Sequence, residues 1–378
     1  MRIAIATDWF APRQGGIEAQ LVALAERLSR RGHEVTVITS TPGAGQHSGY
    51  AVRSIAGPRI PGTAVIASPA LLRVVRRAIE GFDVVHAHVS VVSPLAYGAA
   101  FVAASQQVPA VVTFHSVLRL KRIALALVNA VARLDRTRVV WTAVSQLVAA
   151  QVGGALGTVV AVLPNGIDLK FWSGARGNGR RASDIMTFAS AMRMHPKKRP
   201  RPLLHAFGRA VADARSPARL VLAGAGPELD ALRSEAKRID ASTGASVEFR
   251  DWLDGAALRT LYRESDAFVL PTKHEAFGIA ALEARVAGLP VIASSDAGCR
   301  EFLRHDETAL LCATDADFAE AMTRMIRDAT LRQRLGNADD ALDLARYDWD
   351  RVLDDHERAY LAAITRASGA AVSSVVPA

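Results

Sequence analysis

Cysteine is nearly missing: Cys299 and Cys312 are the two in 378 residues. That excludes a disulfide framework and a cysteine-rich metal site, and two free thiols suit a reducing compartment. The N-terminus, Met1–Phe10, lacks a long apolar stretch ahead of a cleavage site, so no secretory leader is expected. Residues 84–118 hold no Asp, Glu, Lys or Arg, yet Pro94, Gln106, Gln107, Pro109 and three histidines interrupt them. A membrane span needs about 20 predominantly apolar residues in a row. The expectation is a soluble, cytoplasmic protein. Half of the residues are hydrophobic and 22% are charged, which supports a sizeable core and excludes dominant disorder. At about 100–200 residues per domain, the length favours two domains.

The charge is unevenly placed. The net charge is +9; residues 1–166 carry 16 Lys and Arg against 7 Asp and Glu, while the remainder balances 30 against 30. A one-sided basic surface concentrates anionic partners such as lipid headgroups, nucleic acid or phosphorylated glycans. Plain solvation of surface charge is the competing explanation.

Arg2–Thr7 reads as a buried strand and Asp8–Gly16 as a loop with Pro12 and the pair Gly15–Gly16. Ile17–Arg31 places Leu21, Leu24, Ala25 and Leu28 at helical spacing, Gly32 stops it, and Glu34–Ile38 is the next strand. This is a βαβ opening with a glycine-rich turn. Strands follow at Val84–His86, Ala110–Phe114, Val139–Ala143 and Val159–Leu163, with helices at Leu71–Ile79 and from about Pro94. The pattern restarts after Asp168. Five strands are expected there, at Thr187–Ala189, Ala218–Ala223, Val247–Arg250, Ala267–Leu270 and Pro290–Ala293. Helices fall at Pro202–Ala214, Pro227–Arg238, Gly255–Glu264 and Ile279–Ala287, with further helical segments from Phe318 to Arg366. Gly174–Ser183 reads as an exposed loop.

The fold class is therefore α/β: two doubly wound Rossmann-like domains, residues 1–166 and 167–348, facing across a cleft. A C-terminal helix over 349–368 returns to the N-terminal domain, and 369–378 is a loose tail. Ligands of such sheets sit beyond the carboxyl ends of the strands.

The strongest chemical signal is Glu275–Ala276–Phe277–Gly278–Ile279, continuing through Ala280, Ala281 and Leu282 to Glu283. A strand, a short loop and a helix N-terminus leave the backbone N–H groups of Phe277, Gly278 and Ile279 free to meet phosphate oxygens. Gly278 lets the backbone approach closely. Glu283, two helical turns past Glu275, can accept from a pair of ribose hydroxyls. Alternatively Glu275 is only a carboxylate favourable to the helix dipole, and Glu283 is solvated. Arg193 and Lys198 follow the first strand of the second domain; an arginine can clamp a phosphate and a lysine adds a compact charge. Gly224–Ala225–Gly226–Pro227 follows the next strand but lacks the third glycine of a dinucleotide fingerprint.

Taken together these features resemble the retaining glycosyltransferases of family 4, two Rossmann-like domains in the arrangement called GT-B. The resemblance spans nearly the whole chain. It rests on Gly15–Gly16, Arg31–Gly32–His33–Glu34–Val35, Asp83–Val84–Val85–His86–Ala87–His88 and Thr113–Phe114–His115. It continues through Pro164–Asn165–Gly166–Ile167–Asp168, Arg193 and Lys198, Gly224–Ala225–Gly226–Pro227, Glu275 to Glu283, and Ala287–Gly288–Leu289–Pro290–Val291. It implies that a Gly15–Gly16 amide, Arg193 and Lys198 hold a donor diphosphate, that Glu283 binds ribose, and that Glu275 and His115 lie at the donor sugar. The family usually has glycine before the arginine and after the lysine, where this chain has Met192 and Arg199. Lys197 is thus an alternative to Lys198.

His115 reads either as a substrate contact or as a satisfied core residue, His86 as structural, and His88 as a weaker site candidate. No cluster has zinc-like or calcium-like spacing, so no metal and no separate cofactor are expected. The substrate implied is a GDP- or UDP-linked sugar, carrying mannose, glucose or N-acetylglucosamine, and the acceptor a lipid-linked or envelope-glycan hydroxyl. No nucleic acid partner is expected. Residues 117–134 carry Arg119, Lys121, Arg122 and Arg133 around an apolar stripe of Leu120, Ile123, Leu127 and Val131. Such a helix can either pack on the sheet or lie on an anionic membrane, placing the protein on its inner face. A non-catalytic nucleotide-sugar-binding protein and an NAD-dependent oxidoreductase are the other function classes; the absent G-x-G-x-x-G counts against the second.

Overall fold

The computed structural model describes residues 1–45, 47–57, 65–66, 68–90, 92–117, 139–175, 185–243, 245–338 and 341–368. It divides the chain into two units, Met1–Gly166 with Trp349–Ala378, and Ile167–Asp348.

The first unit is built on seven parallel strands: β1 (Arg2–Thr7), β2 (Glu34–Thr39), β3 (Ala51–Ser54), β4 (Val84–Val89), β5 (Ala110–Phe114), β6 (Val139–Ala143) and β7 (Ala161–Val162). Their order is β3-β2-β1-β4-β5-β6-β7. The central strands are buried along their length, because helices cover both faces of a parallel sheet and leave no solvent side. The edge strand β3 is mostly exposed, and its sequence, Ala-Val-Arg-Ser, has no apolar run to announce it. The helix Gln146–Leu156 was equally silent; Ser145 caps it by accepting from the Val148 N–H, and Gly157 closes it in the left-handed region.

The helix Trp349–Ala367 belongs to this unit and packs across β5 and β6. Trp349, Val352, Leu353 and Tyr360 enter the same core as Ile3, Ile5, Leu21, Val84 and Val111. Polar contacts fix its rotation. Arg31 reaches Asp354 at 2.7 Å and Glu357 at 3.2 Å, His33 meets Glu357 at 2.9 Å, and Arg366 donates to the Val139 carbonyl at 3.0 Å.

The second unit has six parallel strands: β8 (Met186–Ala191), β9 (Ala218–Ala223), β10 (Ser246–Arg250), β11 (Ala267–Leu270), β12 (Val291–Ser294) and β13 (Ala309–Cys312), in the order β10-β9-β8-β11-β12-β13. The sixth strand, β13, lies beyond the five expected from the sequence. Phe188, Phe207, Leu220, Val269, Ile292 and Met322 fill the core between this sheet and its helices.

Arg285, on the helix Ile279–Val286, is fully buried and donates to the carbonyls of Gly336 at 3.3 Å and Ala338 at 2.9 Å. It ties that helix to the C-terminal end of Ala329–Gly336, whose last carbonyls lack intrahelical donors. Replacing it by methionine keeps the apolar stem and removes the donors. The expected loss is about 2–3 kcal/mol of stability, the cost of hydrogen bonds from a charged group. Urea titration of the Arg285→Met protein measures it, and an unchanged midpoint would mean the two carbonyls find other donors.

Candidate active site

In the second unit the strand order reverses between β8 and β11, and the loops leaving these two strands carry the predicted charged residues. Chains that turn to opposite faces of a sheet open a crevice at that point. Beyond β8 comes Arg193, exposed, and then a tight turn over Pro196–Lys198. Beyond β11 the chain runs through Glu275 into the helix Ile279–Val286. Lys198 Nζ donates to Glu275 Oε2 at 2.6 Å, joining side chains that are 37% and 16% exposed. Lys197 is exposed and donates its backbone N–H to His195 Nδ1 at 3.2 Å. Of the two candidate lysines, Lys198 is the one that meets the glutamate.

The two residues that depart from the family pattern each have a place in this turn. Arg199 adopts φ 62° and ψ 41°, the left-handed conformation that glycine takes without strain. Its guanidinium pairs with Asp315. Met192 is buried and donates its backbone N–H to the Ala223 carbonyl at 3.0 Å. Gly226 has a packing reason of its own: a β-carbon there would stand 2.3 Å from the Met194 carbonyl oxygen. The loop after β9 can run this close to the loop after β8 only with glycine.

Gly278 precedes the helix with φ 93°, so the chain turns into the helix where side chains are disfavoured. The Ile279 and Ala280 amides have no intrahelical acceptor, whereas that of Ala281 donates to the Gly278 carbonyl at 2.9 Å, and the dipole's positive end favours an anion. The Phe277 ring packs against Phe302 and Tyr347, both with centroids 5.6 Å away, so only its backbone is left for a ligand.

Glu275 and Glu283 do not lie on one continuous helix. Glu275 lies in the turn before the helix, and Glu283 on the helix itself. Nor is Glu283 a solvated surface group. It is half-buried, and burial pushes its carboxyl up from 4.5 to about 8. Among the described residues no donor is hydrogen-bonded to it, which leaves its oxygens available to hydroxyls of a ligand.

In the first unit Gly15 caps, and Gly16 opens, the helix Gly16–Arg30. Glu18 in its first turn is buried and pairs with Arg13 at 3.3 Å, and Arg13 lies over the Trp9 ring. The strand order of this sheet reverses between β1 and β4. There Asp8, read from sequence only as the start of a loop, accepts the N–H groups of Leu95 and Ala96 at 3.1 Å each. Those amides open the helix Pro94–Ser105, and burial raises the carboxyl to about 6 against their hydrogen bonds.

His115 follows β5 and is 9% exposed. Its Nε2 lies 2.8 Å from His88 Nδ1, so the structure joins two histidines that the sequence considered separately. His86 is structural, held between Tyr360 and Thr113. His356 and Tyr360 of the C-terminal helix complete the cluster. Their one sequence signal is a polar pair four apart on an otherwise apolar helix face. Burial pushes His115 down to about 3 and His356 to about 4, and lowers His86 and His88 well below 6.5, so all four are neutral at neutral pH.

Among the described residues, no group of three or more His, Cys, Asp and Glu is placed to hold a metal ion. No helix of these residues is long and apolar enough to cross a membrane. The basic amphipathic segment expected over 117–134 lies outside the described residues beyond Val117, as does residue 176 onward of the loop Gly174–Ser183.

Two family models match this chain, Glycosyltransferase Family 4 over residues 14–171 and Glycosyl transferases group 1 over residues 177–340. The D-inositol 3-phosphate glycosyltransferase of Actinosynnema mirum is 31% identical over 391 residues, covering 92% of each chain. The phosphatidyl-myo-inositol mannosyltransferase of Mycobacterium tuberculosis is 30% identical over 379 residues, covering 95% of this chain and 96% of that one. Among solved structures, Anabaena HepE in complex with UDP and glucose has a TM-score of 0.72 at 20% identity, over 94% of this chain and 98% of that chain. WaaG, a glycosyltransferase involved in lipopolysaccharide biosynthesis, reaches 0.68 at 14% identity, over 97% and 100%. At these identities the structural likeness concerns the fold.

The raised carboxyl of Glu283 gives a signed expectation. Between its ordinary value of 4.5 and about 8 the folded chain holds a proton that the unfolded chain has released. Stability contributed by this group therefore falls as pH rises through that window. A glutamine at 283 cannot ionise, so Glu283→Gln should gain stability over wild type progressively from pH 5 to pH 8.5. Urea denaturation across the range reads this out. A difference that is flat with pH would show that the carboxyl ionises normally.

Proposed function

This chain belongs to glycosyltransferase family 4, and we propose that it moves a hexosyl group, with retention at the anomeric carbon, from a nucleotide-diphosphate sugar to a hydroxyl of a phosphorylated inositol or envelope-glycan acceptor. The observation that carries the reading is the Lys198–Glu275 pair at the β8/β11 reversal, with Arg193 in the loop after β8 and Gly278 at the helix start that follows Glu275. Transfer breaks the bond from the anomeric carbon to the diphosphate, and the leaving group gathers negative charge. Lys198, Arg193 and the first-turn amides supply fixed positive potential there, the kind of preorganised field that dominates many rate enhancements. That field stands in the place of a metal, so the proposed transfer is metal-independent.

The Glu275 carboxylate is engaged 2.6 Å from the Lys198 ammonium, so it serves as a positioning group for the donor sugar. The acceptor proton then passes to a departing phosphate oxygen on the same face. Glu283 takes the ribose hydroxyls, and a Gly15–Gly16 amide and His115 are the candidate donor contacts carried by the first unit. Mannose, glucose and N-acetylglucosamine on GDP or UDP are the candidate donors. The two inositol-directed relatives support a phosphorylated acceptor, and the +9 excess confined to residues 1–166 is of the right sign for one. The same charge supports peripheral association with an anionic inner membrane face. With the family shown, the oxidoreductase alternative falls away.

The test is a panel of GDP-, UDP- and ADP-sugars offered with inositol phosphates and with phosphatidylinositol vesicles, assayed for binding, donor hydrolysis and transfer. Tight donor binding without turnover on any acceptor would make the chain a non-catalytic nucleotide-sugar-binding protein. Arg193→Ala and Lys198→Ala should each lower transfer by about 10²–10³, as losing one preorganised donor does. Lys197→Ala should change little. Glu283→Ala should weaken donor affinity by about 0.5–1.5 kcal/mol for each ribose hydrogen bond lost, the worth of one to an uncharged carboxyl, whereas Glu275→Ala should act mainly on turnover. Unchanged affinity and rate in both glutamate variants would move the donor site elsewhere.

A further inference from the structure

On one face of the first sheet, beneath the C-terminal helix, the hydrogen positions of a buried polar band can be worked out one by one. Thr142 Oγ1 donates to the Val112 carbonyl at 3.0 Å, which leaves its oxygen to accept from Thr113 Oγ1 at 2.6 Å. Thr113, its hydrogen used, accepts from His86 Nε2 at 2.7 Å. His86 Nδ1 must then accept from the Tyr360 hydroxyl at 3.0 Å. His356 Nδ1 donates to the Val352 carbonyl at 2.7 Å. With every one of these bonds made, each hydrogen in the run has one place.

The neighbouring pair is different. His88 Nδ1 and His115 Nε2 stand 2.8 Å apart, so one ring donates and the other accepts, and no second partner among the described residues decides which. The outer nitrogen of His88, Nε2, is buried without a hydrogen-bond partner in a residue only 4% exposed. That ring lines a cavity of about 20 Å³ together with Thr113, His115, Asn165, Trp349 and His356. Such a volume accommodates one water or one hydroxyl group.

We propose that His88 is the positioning residue for His115, and that a single uncharged hydroxyl, from water or from a polyol, in this cavity sets the tautomers of both rings. A hydroxyl that donates to His88 Nε2 places the His88 hydrogen on Nδ1, which donates to His115 Nε2, and His115 then carries its hydrogen on Nδ1. A hydroxyl that accepts from His88 Nε2–H reverses the pair, and His115 presents a lone pair at Nδ1. In passing between the two states one proton enters at His88 Nε2, one crosses to His115 Nε2 and one leaves His115 Nδ1. The pair holds two hydrogens throughout. An anion is a poor occupant, because burial keeps these imidazoles uncharged. The proposal rests on the transferase reading only in its last link, that His115 serves the substrate.

The experiment uses the full chain labelled with ¹⁵N-histidine, its tautomers read from long-range proton–nitrogen correlations, with and without myo-inositol. His88→Asn keeps an amide near the Nδ1 position and removes Nε2; His88→Gln keeps an amide near Nε2 instead. His86 should remain the Nε2–H tautomer in every protein, which certifies the fold. The tautomer ratio of His115 should change in His88→Asn and shift differently in His88→Gln. A response of wild type to myo-inositol that disappears in His88→Asn assigns the hydroxyl to a polyol; His88-dependence without that response assigns it to water. Transfer should fall by about 10–100-fold in His88→Asn at unchanged donor KM, the usual cost of removing an orienting partner. An identical His115 ratio in wild type and both variants would overturn the proposal while leaving the transferase reading standing. Absence of transfer by wild type with the tautomer coupling present would do the opposite.

Discussion

A parallel sheet delivers all its strand ends to one edge, and a doubly wound one sends its chain to opposite faces at a single reversal. That constraint decides where this molecule can place charge. In the second unit the reversal lies between β8 and β11, and Arg193, Lys198 and Glu275 all lie in the two loops that leave those strands. In the first it lies between β1 and β4, where Asp8 meets the start of the helix Pro94–Ser105. Elsewhere a buried parallel strand has no solvent face on which to carry a charge. Where β4 and β5 do carry polar side chains, as His86, His88 and Thr113, these are neutral and bonded to one another or to the C-terminal helix.

The two units therefore handle polarity by opposite means. The second keeps an ion pair in a partly open loop, where water screens the cost of two charges. On the sheet face under its C-terminal helix the first uses uncharged groups, joined through a chain of shared hydrogens. An ion pair can release its cation to an arriving phosphate; a chain of neutral imidazoles can only redirect hydrogens. The first arrangement suits electrostatic stabilisation and the second suits orientation.

Much of this was legible in the sequence. Apolar runs of strand length with intervening helical periods gave most of the strands in both sheets, and Glu275 to Glu283 marked a loop entering a helix. The edge strand β3 was missed because an exposed edge needs no apolar run, and β13 because its four residues precede a stretch that reads as helix throughout. The Lys198–Glu275 contact joins residues 77 apart, and nothing local in either segment announces the other. Tyr360 and His86 are 274 apart, and their bond follows only once the last helix is known to lie over β4. The left-handed backbone of Arg199 could not be read from its residue type, because arginine rarely adopts it, and its pairing with Asp315 joins residues 116 apart.

Because Trp349–Ala367 completes the first unit, the second unit, Ile167–Asp348, is an uninterrupted insertion within it. On a ribosome the second unit is fully made while the first still lacks Val352, Leu353 and Tyr360 from its core. The order of completion is thus inverted relative to the order of synthesis. Until the final helix arrives, His86 has no phenol to accept from, so the earliest-made segment of the chain is the last to have its core complete.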